Sequence, residues 1–230
     1  MKHMTKLMAS ALVASAAMAA TPAMAQVNGI ATTDPATAIA ASQARGTAYQ
    51  QIETTYASQI QTLQQKRQQA QELGKQLDTD GNGEVSDQEA AAAQSANNPV
   101  LQQINSIQRE IDSLSAPIAL AQIYALEQIT QQFNAAQQQV VSDKNISVIL
   151  TPEAFVYAPP AADVTNDIVT ALNTRLPAVS TAVPADWQPS RQGQQLHQRV
   201  QQILVISALQ QRAAQQQQQQ QTTTQQPTGR

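Results

Sequence analysis

Asn145-Ile146-Ser147-Val148-Ile149-Leu150 is short, β-branched and apolar, and it follows directly on a long run of helical composition. Such a segment reads as a strand and not as more helix. Pro152 comes after it, Ala154-Phe155-Val156-Tyr157 is expected to form a second strand, and Pro159-Pro160 turns the chain. Asp163 then caps a helix from Val164 to Leu176 with Ile168, Val169 and Leu172 on its buried face, and Pro177 stops it. Far upstream, Val27 to Thr33 (VNGIATT) reads as another short strand, ended by Asp34-Pro35. Strands on both sides of a long helical stretch can share a base only if the stretch folds back on itself.

The stretch between them has the pattern to do so. Pro35 fits the first turn of a helix capped by Asp34, and helical composition runs on to Leu77. Steps of three and four pick out Tyr49, Ile52, Tyr56, Gln59, Leu63, Lys66, Ala70, Leu73 and Leu77, of which seven of nine are apolar with Ala counted. A stripe of that period lets one long helix lie along another. Arg45–Leu77 would span about 50 Å at 1.5 Å per residue. Ser86–Ala96 reads as a short helix, broken by Asn97-Asn98-Pro99. A second long helix, Pro99–Ser142, carries a seam at Leu101/Ile104, Ile107, Ile111, Leu114 and Ile118, which slips and resumes at Ile123, Leu126, Thr130, Phe133 and Val140. Pro117 sits at the slip, where a kink is expected. Residues 35–77 and 99–142 are thus expected to form an antiparallel hairpin with a compact tip. Tyr49, Tyr56 and Phe133 belong to its seam.

The ends of the chain differ from this middle. Lys2 and Lys6, the apolar Leu7–Ala20, the breaker Thr21-Pro22 and Ala23-Met24-Ala25 have the layout of a secretory signal peptide over residues 1–25. The apolar stretch is well short of the roughly 20 residues that span a bilayer. The mature chain is expected in the periplasm, without stable membrane insertion and in a position to associate with the outer membrane. Residues 177–212 read as a Pro- and Ala-rich linker holding Trp187, then a candidate amphipathic helix over Arg191–Arg212 built on Leu196, Val200, Ile203, Ile206 or Ser207, and Leu209/Gln210. Residues 213–230, with seven consecutive Gln, read as a disordered tail.

Composition excludes several classes. The full chain has 13 Lys+Arg and 16 Asp+Glu, and without Lys2 and Lys6 the basic count falls to eleven, a net of −5. That is no basic footprint for nucleic acid. There is no Cys for a disulfide or a zinc site, and His197, read as a solvated surface residue, is the only mature histidine. No Ser/His/Asp set, paired catalytic carboxylates or phosphate-binding Gly loop stands out, so an enzyme is not expected. Aromatic residues are 3% of the chain. Such a sequence suits long helices packed along a seam.

Asp78 to Glu89 interrupts the helical pattern with the spacing of an EF-hand loop. Asp78, Asp80 and Asn82 supply side-chain oxygens at positions 1, 3 and 5, and Gly83 at position 6 permits the sharp turn. Glu84 at 7 offers its carbonyl, Ser86 at 9 can act through water, and Glu89 at 12 can give both oxygens. Weak calcium binding is expected, because no second hand accompanies this one. The same residues also serve a plain turn, through Asp-Gly and Asn-Gly, and a capping box, Ser86-x-x-Glu89, that starts the next helix.

The order strand, long helix, tip, long helix, strand, strand, short helix resembles the Skp/OmpH family. Ile30-Ala31-Thr32-Thr33-Asp34, with Ala41-Ser42 and Gly46, is similar to the family's opening strand and first helical turn. Ile146–Leu150, Ala154–Tyr157 and Asp163–Asn173 are similar to its closing hairpin and last helix. The resemblance implies an α+β, mostly α fold over residues 26–176. Its strands (27–33 and 146–157) and helix 163–176 would form the oligomerisation body, and the EF-hand-like loop 78–89 would sit at the tip. It also implies a homotrimer whose hairpins surround a cavity holding unfolded outer-membrane proteins, without ATP. Family members of enterobacterial type are commonly basic and attract lipopolysaccharide; this chain is acidic, so no such site is carried over. The alternative is a structural coiled-coil envelope protein with a calcium-sensing loop.

Overall fold

The computed structural model describes residues 29–224. The expected signal peptide, Val27 and Asn28 of the first expected strand, and residues 225–230 lie outside the described residues. The elements in order are β1 (Ile30–Thr32), α1 (Pro35–Ala41), α2 (Gln43–Thr55), α3 (Ala57–Gly74), α4 (Asp87–Ser95), α5 (Pro99–Asp143), β2 (Val148–Leu150), α6 (Thr165–Arg175) and α7 (Arg191–Thr224).

The two distant strands meet. β1 and β2 pair in parallel, with Ile30 opposite Val148, Ala31 opposite Ile149 and Thr32 opposite Leu150. A bridge from Thr32 to Asp163 extends the pairing, and the Val164 N–H donates to the Thr32 carbonyl at 3.0 Å. The inward side chain, Ala31, enters the main core, while Ile30, Val148 and Leu150 face outward.

The expected second strand at Ala154–Tyr157 does not form. Pro152–Ala154 is a single 3₁₀ turn, and Val156 and Tyr157 stand fully or largely exposed. A strand exists only through its partner, and among the described residues nothing pairs with this segment, which prolines bracket on both sides.

The helix expected over 35–77 is three helices. Asp34 accepts from the N–H groups of Ala36 and Thr37, and Pro35 occupies the first turn, as read from the sequence. At Ser42 the backbone turns extended; its hydroxyl donates to the Ile39 carbonyl and accepts from the Arg45 N–H, ending α1 and capping α2. The break lets α1 lie on α6 and α7 in the body while α2 leaves along α5. A milder irregularity at Tyr56 separates α2 from α3.

The seam reading holds. Of the nine heptad positions between Tyr49 and Leu77, none is exposed. Tyr49 and Ile52 pack with Ala121, and Leu63 packs with Ile107 and Ile111, so α2 and α3 lie against α5. Lys66, at a seam position, pairs with Glu110 across the hairpin at 2.5 Å. α5 continues through Pro117. Asn97 and Asn145, with φ of 48° and 53°, end α4 and α5 in left-handed conformation. Asn98 and Ile146 then donate back to the Ala93 and Val141 carbonyls.

The C-terminal region departs most from expectation. α7 packs on α5 and α1, with Val200 fully buried and Leu196, Ile203 and Leu204 against the core. The Gln run expected to be disordered from residue 213 is helical to Thr224, consistent with the fair helix propensity of Gln. His197 is half-buried rather than solvated: its Nε2 lies 2.9 Å from Gln122 Oε1, and burial holds its pKa below the usual value. The linker is tied down as well. Gln128 exchanges two hydrogen bonds with the Ser180 backbone, and Trp187 meets Tyr124 edge-on at 5.1 Å.

Candidate functional site

Two regions of the hairpin present organised chemistry, the loop at its tip and the strand face at its root.

At the tip, α3 ends at Gly74 and the chain passes through Leu77, which is buried, into Asp78–Ser86. Gly81 and Gly83 have φ of 73° and 90°, a region costly for any residue with a Cβ, so the loop's course depends on them. The Asp78 carboxylate accepts from the N–H groups of Gly81, Asn82 and Gly83. Asp80 accepts from the Asn82 N–H and side-chain amide, and Asn82 Oδ1 accepts from the Glu84 N–H at 2.8 Å.

Glu89 closes the loop. One oxygen accepts from the Thr79 N–H (2.5 Å), the Thr79 hydroxyl (2.6 Å) and the Asp80 N–H (3.3 Å). The other accepts from the N–H and hydroxyl of Ser86, both at 2.9 Å. Ser86 in turn accepts from the Glu89 N–H, completing the capping box of α4. The Thr79 hydroxyl, followed by the Ser86 and Thr79 backbone groups, holds the Glu89 carboxyl down at about 2.

Of the six residues read from the sequence, Asp78, Asp80 and Glu89 converge, with one carboxylate oxygen of each within 4.8 Å of the others. Asn82 and Ser86 are tied to these carboxylates by hydrogen bonds, and Glu84 takes part through its backbone N–H. The donors are all oxygen, the ligand type calcium takes. Thr79 was not singled out in the sequence. Its side chain and N–H are the main partners of Glu89, and position 2 of such a loop carries no ligand signal that would have found it. Beneath the loop, Leu77, Ala92, Ala93 and Ala96 line a cavity of about 530 Å³.

At the root, the outward face of the strand pair is apolar: Ile30, Val148 and Leu150. Single exposed apolar residues are ordinary; here three share one face of a strand pair whose β2 edge has no partner among the described residues, while the outer edge of β1 is bridged at Thr32 to Asp163. Among the described residues no helix is long and apolar enough to cross a membrane.

A long helical hairpin that returns two distant strands to one base defines a tentacle-bearing α+β class. The chain belongs to the OmpH-like outer membrane protein family, whose model matches residues 29–172. Among solved structures, a crystal structure of an OmpH-like protein from Caulobacter crescentus CB15, described as a candidate outer membrane chaperone, is similar at 25% identity, covering 72% of this chain and 92% of that one with a TM-score of 0.42. No curated protein matches. The family match stops inside α6, so the linker and α7 lie beyond it.

Proposed function

We propose that the chain is an ATP-independent periplasmic holdase for unfolded outer-membrane proteins, exported by the signal peptide over residues 1–25 and working as a homotrimer. The observation that carries this reading is the strand pair at the hairpin root, with its outward Ile30, Val148 and Leu150. A coiled-coil spacer has no need of it. Joining copies through this face would bury the apolar group, give the open edge of β2 a partner and set the hairpins around a shared hollow. An unfolded β-barrel protein exposes alternating apolar side chains and open strand edges that aggregate. A lining of Gln, Ala, Ile and Leu can hold such a chain by many weak contacts without demanding a sequence.

Calcium at Asp78, Asp80 and Glu89, with Asn82 and Ser86 in support and the Glu84 carbonyl as a further donor, would stiffen the tip and modulate how the hollow opens. A single hand suggests affinity near ~10⁻⁴–10⁻³ M, the extracellular class. The chaperone reading is tested by light scattering of an unfolded porin diluted from denaturant. Suppression of scattering by a stoichiometric amount of the mature chain is expected, and unchanged scattering would refute it.

A further inference from the structure

The C-terminal helix is two different objects in sequence. From Arg191 to Leu204 it is seated. Ser190, just before it, donates from its N–H and hydroxyl to Glu127, His197 and Gln201 meet Gln122, and Val200 is fully buried. From Val205 to Gln218, Ser207 apart, the side chains turn to solvent: Val205, Ile206 and Leu209 are 58%, 54% and 58% exposed, and Ala213 is exposed too. At 100° per residue these four fall within an arc of about 100° on one face. The exposed half is therefore amphipathic, with its apolar face uncovered among the described residues.

Its chemistry narrows what can cover that face. Between Arg199 and Thr224 the only charge is Arg212, and residues 215–221 are all Gln. A Gln amide carries both donors and an acceptor, so a Gln-rich face complements a copy of itself. The arm also has no opposite-charge i,i+4 pairs to support it, and isolated helices of this length are marginal in water. An identical arm would bring a single like charge, Arg212 one heptad after Val205, to the edge of the seam, would cover Val205, Ile206 and Leu209, and would supply the missing helix support. The rigid seating of Arg191–Leu204 gives every copy the same departure point.

We propose that residues 205–217 of α7 form an association surface for the same segment of a second copy of this chain, an arm-to-arm coiled coil lying outside the matched family region. This contact is separate from the strand face at the hairpin root and does not require the chaperone reading.

The chain has no native cysteine, so single-cysteine probes are clean. Leu209→Cys lies on the proposed seam, and Gln211→Cys lies on the opposite, solvent-facing side. Both are made in the mature full chain and oxidised with copper-phenanthroline at equal concentration. Leu209→Cys is expected to give disulfide-linked pairs at least ten times faster than Gln211→Cys. Combining Leu209→Cys with Val205→Ser and Ile206→Ser is expected to abolish that advantage while circular dichroism keeps the rest of the helix signal. Equal rates for the two probes would overturn the proposal. So would a Leu209→Cys advantage that appears only when an unfolded client is added, since the arm would then be a client-binding surface.

Discussion

Ile30 and Val148 stand directly opposite each other in a parallel strand pair, and both remain more than two-fifths exposed, at 43% and 46%. Residues more than a hundred positions apart in the family region are thus joined, and the apolar surface so formed is exposed. Ile30→Lys is expected to leave the monomer folded, because the side chain already points outward, and to reduce the proposed trimer to single chains. Light scattering coupled to size exclusion checks it; a mass unchanged from the parent would place the interface elsewhere.

The tip makes a pH prediction whose sign follows from Glu89. Its carboxyl is held at about 2 against an ordinary 4.5 by the Thr79 and Ser86 groups. A depressed acid favours the folded tip at pH values above its unfolded pKa, and that contribution disappears as pH falls from about 4.5 through 2. The protection of the Thr79, Asp80 and Ser86 amides relative to their intrinsic exchange rates is expected to fall over that interval and to stay constant between pH 6 and 8.

Glu89→Gln separates the two roles of the loop. It keeps one acceptor oxygen for the capping box but loses the charge calcium needs. Calorimetric titration is expected to show calcium heat in the parent and none in the variant. Equal heats would end the calcium proposal while leaving the capping box intact.

Gly193 sits where α7 crosses Glu127. A Cβ there would lie 2.1 Å from Glu127 Oε1 and 2.8 and 2.9 Å from Cδ and Cγ, so the stem of Glu127 must move as well as its tip. Gly193→Ala gains about 1 kcal/mol of helix propensity against an overpacking cost of about 1–3 kcal/mol; the cost is expected to win. Trp187, the only Trp, reports it. Its emission should shift to the red as the linker loosens from Tyr124.

Tyr49 is buried in the hairpin seam with its hydroxyl unpartnered among the described residues, and burial pushes its pKa up to about 12. The Arg45 guanidinium lies 5.5 Å from its ring. Tyr49→Phe keeps the ring and removes a buried polar atom worth about 1–3 kcal/mol when unpaired. A melting temperature equal to or above the parent's is expected, and a fall of several degrees would mean the hydroxyl has a partner.

The hairpin was legible because its signals are local. A 3.5-residue stripe from Tyr49 to Leu77, a proline after two Asn at the tip, and the Ser86–Glu89 box each act within a few residues. The EF-hand-like spacing was legible for the same reason, and the convergence of Asp78, Asp80 and Glu89 follows from it. What failed depended on distant partners. Ala154–Tyr157 has strand composition but no strand partner among the described residues. Ser42 reads as a tolerable helix residue until Asn173 takes the Gln43 N–H and the α1 face finds α6 and α7. The seating of α7 turns on Glu127, Gln122 and Gly193, residues that look like unremarkable surface in sequence.

The central claim is a shared hollow that holds one unfolded chain. Light-scattering mass measurement on the mature protein mixed with an unfolded porin tests it most directly. The expected result is one species whose mass equals three copies plus a single client. A porin that aggregates while the protein elutes as a lone chain would contradict the account.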